Sequence, residues 1–210
     1  METTLDAEQS KALTHLFGIL RTLETEYGLP YGYIPKLLYE DDWSFVIKLH
    51  ALVEAVVSDS LTSAVDRRID AEFRRLNLIG RSGKVRFAES LGLIEKAQST
   101  FIVKLSEIRN SAVHDIRKVD LSLRAYFEGL PAGEKSGLTD SIVALFDKSI
   151  MDRWRMDTVK DIKSAIWVGS MLVISSAKTN ANIAKAKAEL MKASLDTIQA
   201  LQKQGAEDQS

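Results

Sequence analysis

Along most of the chain apolar residues return every three or four positions, and strict alternation of apolar and polar residues is absent, so the pattern predicts an all-α protein. Three prolines and eleven glycines punctuate it. A first helix over about 6–27 begins at Asp6, with Gln9 three residues on, and stops at Gly28 and Pro30. Its buried stripe is Leu13, Leu16, Phe17, Leu20 and Leu23, and His15 falls on the opposite, solvated face. Residues 29–35 form a turn-rich connector, because each proline disfavours helix at the residue before it. Asp41 or Asp42 caps a second helix carrying Trp43, Val46, Ile47, Leu49, Leu52, Val53, Val56, Val57 and Leu61. So wide an apolar surface belongs in the middle of a bundle.

The pattern continues with a helical stretch over 66–78 and a short helix over 84–91, capped by Ser82 and ended by Gly92. A helix from Glu95 or Ser99 buries Phe101, Ile102, Leu105 and Ile108, and another short one covers 120–127. Residues 129–133, Gly-Leu-Pro-Ala-Gly, mark the clearest internal boundary. Beyond it, Leu138, Ile142, Leu145, Phe146 and Ile150 make one more amphipathic helix with Thr139 as its cap. A long helix then runs from near Asp157 to about Gln202. Its first half is apolar nearly all round and needs cover; its second half has Ala184, Ala188, Met191, Leu195 and Ile198 at steps of four and three. That seam of about two heptads is short for a zipper, and it predicts packing on the chain's own domain or on a partner subunit. The expected organisation is a bundle core over 1–128, a C-terminal helical extension over 134–204 and a disordered polar tail over 205–210.

Composition narrows the functional classes. At 210 residues, 45% apolar and 27% charged, the chain can bury a sizeable core. With no cysteine there is no disulfide framework, thiolate metal site or Cys nucleophile, which fits a reducing, cytoplasmic setting. The N-terminus lacks a basic start and apolar run, and the most apolar run, 165–177, is short of the ~20 residues that span a bilayer, so no membrane is expected. A formal charge of −1 gives no global pull toward nucleic acid. No short helix pair followed by a basic recognition helix argues for DNA, and three scattered histidines offer no metal-ligand spacing, so no metal or other cofactor is expected.

Local chemistry remains. His50 and Glu54 are four apart and neighbours on one helix edge, either orienting a base or forming a structural hydrogen-bonded pair. Arg67, Arg68, Arg74, Arg75, Lys84 and Arg86, with the turn 80–84, are the densest basic segment, able to hold phosphates; interleaved Asp66, Asp70, Glu72 and Glu89 fit a solvated face of ion pairs equally well. The turn is not a P-loop, since its spacing is wrong and no strand precedes it.

The most suggestive stretch is Ile108-Arg109-Asn110-Ser111-Ala112-Val113-His114-Asp115, at the end of an amphipathic helix. Arg109 and His114 lie roughly 140° apart around an ideal helix and ~7.5 Å along it, so they pair only where the helix ends or across a dimer. Asn110 and His114 share a face, and the amide could fix the imidazole tautomer. A cation, an imidazole and an amide suffice for metal-independent RNA cleavage: the imidazole moves the 2′-hydroxyl or leaving-group proton and the guanidinium holds the phosphate. The structural alternative has Arg109 paired with a carboxylate and His114 closing the helix near its negative end.

At these residues the chain resembles the HEPN superfamily, whose hallmark is Arg, four to six residues, then His. The string Phe87-Ala88-Glu89-Ser90-Leu91-Gly92-Leu93-Ile94, followed by Leu105 to Asn110 and then Ala112, Val113 and His114, is most similar to the mannitol-operon-repressor-like branch. Ser111-Ala112-Val113 stands where that branch often has an aromatic and then Ala before His. The resemblance covers about 42–115. It implies an antiparallel helical bundle that forms a homodimer, with Arg109, Asn110 and His114 as candidate catalytic residues acting on RNA, and a toxin or defence setting with a protein partner or antitoxin. It equally admits a non-catalytic regulatory protein.

Overall fold

A computed structural model describes residues 7–65, 69–114, 119–146, 155 and 158–207, without the side chains of 7–13, 15, 16 and 199–207. Expectations placed on Asp6, Asp66, Arg67, Arg68, Asp115, Ile150, Asp157 and 208–210, and on the side chains of Leu13, His15 and Leu16, lie outside the described residues. Among the described residues the fold is all-α: α1 (Ala7–Glu26), α2 (Tyr33–Lys36) running into a 3₁₀ turn (Leu37–Tyr39), α3 (Asp42–Ala64), α4 (Asp70–Arg75), α5 (Lys84–Ser90), α6 (Lys96–Val113), α7 (Leu123–Gly129), α8 (Ala132–Val143) and α9 (Ile162–Glu207).

Helix α3 is the centre of the core. Asp41 caps it by accepting from the Ser44 amide at 2.8 Å. Phe45, Val46, Leu49, Val53, Val56, Val57 and Leu61 are all sealed from solvent. The first half of α9 covers α3 most extensively, through Ile166, Met171, Val173, Ile174 and Ala177, and α6 follows with Phe101, Ile102 and Leu105. Leu138 and Ile142 of α8 join the same apolar cluster. Trp167 ties α9 to α2 by donating to the Ile34 carbonyl at 3.1 Å. The buried Glu24 carboxylate accepts from the Gly32 and Ile34 amides at 2.8 and 2.9 Å, locking the proline-rich connector onto α1.

Several elements begin elsewhere than their periodicity predicts. The cap of α5 is Gly83 rather than Ser82: a Cβ at Gly83 would lie 2.6 Å from the Ile79 carbonyl carbon, so only glycine fits this close approach. Of the two starts expected for α6, Glu95 is the cap, in a reciprocal box with Gln98. Ser122 caps α7, whose first residue lies three inside the expected start, and Asp42 receives the Leu123 amide at 2.8 Å. Helix α8 starts at Ala132, so Thr139 is interior and buried, its hydroxyl turned back to the Lys135 carbonyl. Asp161 caps α9 by accepting from the Ser164 amide, and α9 continues through Glu207, into the stretch expected as a tail. Phe17, expected inside, is 54% exposed, while Leu20 and Leu23 of α1 are buried in the core.

Candidate functional site

The C-terminal turns of α6 carry the candidate residues. Ile108 and Ala112 face the core, which leaves Arg109 and Asn110 half-buried at its edge and His114 exposed. Helix α6 ends at Val113, so His114 is its C-cap, and the hydrogen bond that joins it to Asn110 is a backbone one, His114 N–H to the Asn110 carbonyl at 3.1 Å. The Asn110 side chain is engaged by its neighbour instead: an Arg109 guanidinium N–H donates to Asn110 Oδ1 at 3.2 Å. What Asn110 can still offer an imidazole is its Nδ2 donor. The helix end is held by Trp43, whose indole N–H donates to the Ala112 carbonyl at 3.1 Å. Among the described residues no carboxylate lies within ion-pair distance of Arg109.

Directly behind the motif, at the α3–α6 contact, sits a polar cluster that periodicity alone did not assemble. His50 is buried, and its Nε2 lies 3.0 Å from Ser106 Oγ. The Ser106 hydroxyl proton is already given to the Ile102 carbonyl at 2.8 Å. A serine has one proton to donate, so His50 Nε2–H is the donor and Ser106 the acceptor, which fixes the tautomer. Burial pushes the His50 pKa below its ordinary value; the Glu54 carboxylate opposes this and the Arg109 guanidinium adds to it. Arg109 is thus near enough for its charge to disfavour protonation of the buried imidazole, while its guanidinium donates to Asn110.

The expected His50 and Glu54 pair is not the bonded one. Glu54 instead takes Lys84, whose side chain is almost wholly buried, at 3.3 Å. This turns one member of the basic segment inward. Three others are paired along their own helices, Arg74 with Asp70 at 3.1 Å, Arg75 with Glu72 at 3.4 Å and Arg86 with Glu89 at 3.9 Å, the arrangement of a solvated face. A signal for Ser106 was present in the sequence: it stands four residues after Ile102, on the buried side of α6, where a small hydroxyl has to find its partner within the core. Lys84, set between Gly83 and the buried Val85, gave a weaker one.

One guanidinium, one carboxamide and one exposed imidazole are what this surface supplies. They can bind a phosphodiester, orient it and move one proton. Among the described residues no group of His, Cys, Asp or Glu could hold a metal ion, and no helix is long and apolar enough to cross a membrane. A cleft of about 660 Å³ between the end of α3, α4 and α9 is lined by Asp59, Asp70, Arg74 and Lys185 rather than by the motif. Set against known proteins, the chain matches no family model, no curated protein and no solved structure.

Proposed function

We propose that the chain is a HEPN-like helical protein that cleaves RNA without a metal. In this reading His114 is the general acid or base, Arg109 holds the scissile phosphate, and Asn110 fixes the guanidinium that does so. The observation that carries it is the placement at the end of α6: His114 is exposed, and Arg109 is held by an amide rather than neutralised by a carboxylate among the described residues. A homodimer that brings two motifs together in the cytoplasm completes the proposal, since one chain supplies one exposed imidazole at this site. The test is cleavage of a mixed RNA in EDTA. His114→Ala should lower the rate by roughly 10²- to 10⁴-fold with the helical circular dichroism unchanged; equal activity in the mutant refutes the assignment.

A second reading, a non-catalytic regulator of the mannitol-operon-repressor type, is favoured by the half-buried setting of Arg109. Its charge acts on the buried His50, and Trp43 braces the same helix end, so these residues also stabilise the α3–α6 contact. On that reading His114→Ala lowers thermal stability or dimerisation and changes no RNA turnover.

A further inference from the structure

Among the described residues, the far half of α9 has no cover from its own chain. The last ties to the bundle are the Asn180 side chain, which donates to the Leu93 carbonyl at 3.1 Å, the buried Ala181 and the partly buried Ala184. Every residue from Lys185 to Ile198 is exposed, a stretch of roughly 20 Å at helical rise. Along it Met191, Leu195 and Ile198 are 67%, 51% and 51% exposed. They continue, at steps of four and three, the seam that begins with the buried Ala177 and Ala181. At about 100° per residue, Ala184, Ala188, Met191, Leu195 and Ile198 occupy only about 80° of the wheel, the width of a coiled-coil seam. Lys187 flanks one edge, and Lys185 and Lys192 flank the other. Glu189 and Asp196 point away.

We propose that this segment docks an amphipathic helix of a partner protein whose flanking positions are acidic. The flanks decide against a second copy: in a parallel pair Lys187 would face the other chain's Lys192, and in an antiparallel pair Lys192 would face its own copy, like charges in both registers. They decide equally against a lipid surface. The seam is alanine-rich, the segment has no aromatic residue from 183 to 198, its exposed Ile183 and Leu190 are set apart from the seam by Lys187, and its polar face carries carboxylates, unlike a membrane-surface helix. Because the root of α9 is anchored in the core, the helix is ordered before the partner arrives, which lowers the entropy cost of docking. This inference does not rest on the role of Arg109 and His114.

The test uses the full chain and two synthetic peptides of about four heptads, with leucine at the seam and either glutamate or lysine at both flanks, each too self-repelling to pair with itself. Fluorescence anisotropy should show the glutamate peptide binding at least ~10-fold tighter than the lysine peptide, with the difference shrinking in high salt. Leu195→Lys, an exposed substitution that leaves the core untouched, should abolish binding, and Lys187→Glu with Lys192→Glu should reverse the preference. Binding that ignores peptide charge, binding that survives Leu195→Lys, or no binding of either peptide overturns the proposal. So does a concentration-dependent dimer in sedimentation velocity, or adsorption to vesicles rich in anionic lipid, that Leu195→Lys removes.

Discussion

His50 should make the fold sensitive to mild acid. Its imidazole is buried between α3 and α6, donates from Nε2 to Ser106 at 3.0 Å, and feels the charges of Glu54 and Arg109. Burial and the guanidinium favour the neutral ring, so below about pH 6.5 the unfolded chain binds more protons than the folded one. Stability must then fall as the pH is lowered from that value, and it stops falling on this account only below the depressed folded pKa. A single group can give a slope of at most about 1.4 kcal/mol per pH unit. Urea denaturation at steps between pH 7.5 and 5 would measure it, as a shift in midpoint at constant m-value. His50→Gln keeps an N–H donor near Nε2 and removes the titration, so its stability should change less over the same range. Arg109→Gln removes a nearby positive charge and should make the wild-type slope shallower. At neutral pH, Ser106→Ala strands the buried Nε2–H and should cost about 1–3 kcal/mol. If His50→Gln shows the full wild-type pH dependence, the buried imidazole is not the responsible group and the argument fails.

Three further outcomes are expected from the same physics. Glu24→Ala removes a buried acceptor of two backbone amides and should destabilise by about 2–4 kcal/mol in urea unfolding, with loss of protection at the Gly32 and Ile34 amides in hydrogen exchange. Trp43→Phe keeps the ring but loses the bond to the Ala112 carbonyl, so it should cost about 1 kcal/mol and speed amide exchange in the last turn of α6 more than at Phe101 or Ile102. Gly169→Ala would put a Cβ 3.0 Å from the Phe101 ring where α9 crosses α6, and should cost about 1–3 kcal/mol by calorimetry or urea titration.

The all-α class and the central position of α3 were legible because a 3.6-residue period repeated over many turns is a signal that no single side chain can spoil. Helix starts were less legible. Their caps depend on contacts a one-dimensional pattern does not contain: Gly83 caps α5 because Ile79 leaves no room for a Cβ, and Asp42 receives the Leu123 amide across 81 positions of sequence. The candidate site divides the same way. That His114 could leave the helix was read from spacing, since five residues cannot share one face. That Arg109 binds the side chain of its neighbour Asn110 is a rotamer choice that spacing does not carry, and that His50 turns from Glu54 to Ser106 was decided by α3 packing on α6, which brings together residues 56 apart.

That packing also limits what the site can do alone. Cleavage through a 2′-hydroxyl needs one group to remove a proton and another to return one to the leaving oxygen. His50 cannot be the second group: its Nε2 proton is committed to Ser106, the ring is buried, and burial and Arg109 both hold it neutral. Lys84 is held by Glu54 in the interior, and Arg109 does not release its proton at working pH. On the catalytic reading a second copy of His114, brought across a dimer, supplies that group, so activity should rise with the square of protein concentration wherever monomers dominate. Mixing the wild-type chain with the His114→Ala chain then discriminates. If a centre needs both copies of His114, every mixed dimer is inactive and activity falls with the square of the wild-type fraction; if one imidazole suffices, mixed dimers keep activity and the fall is linear.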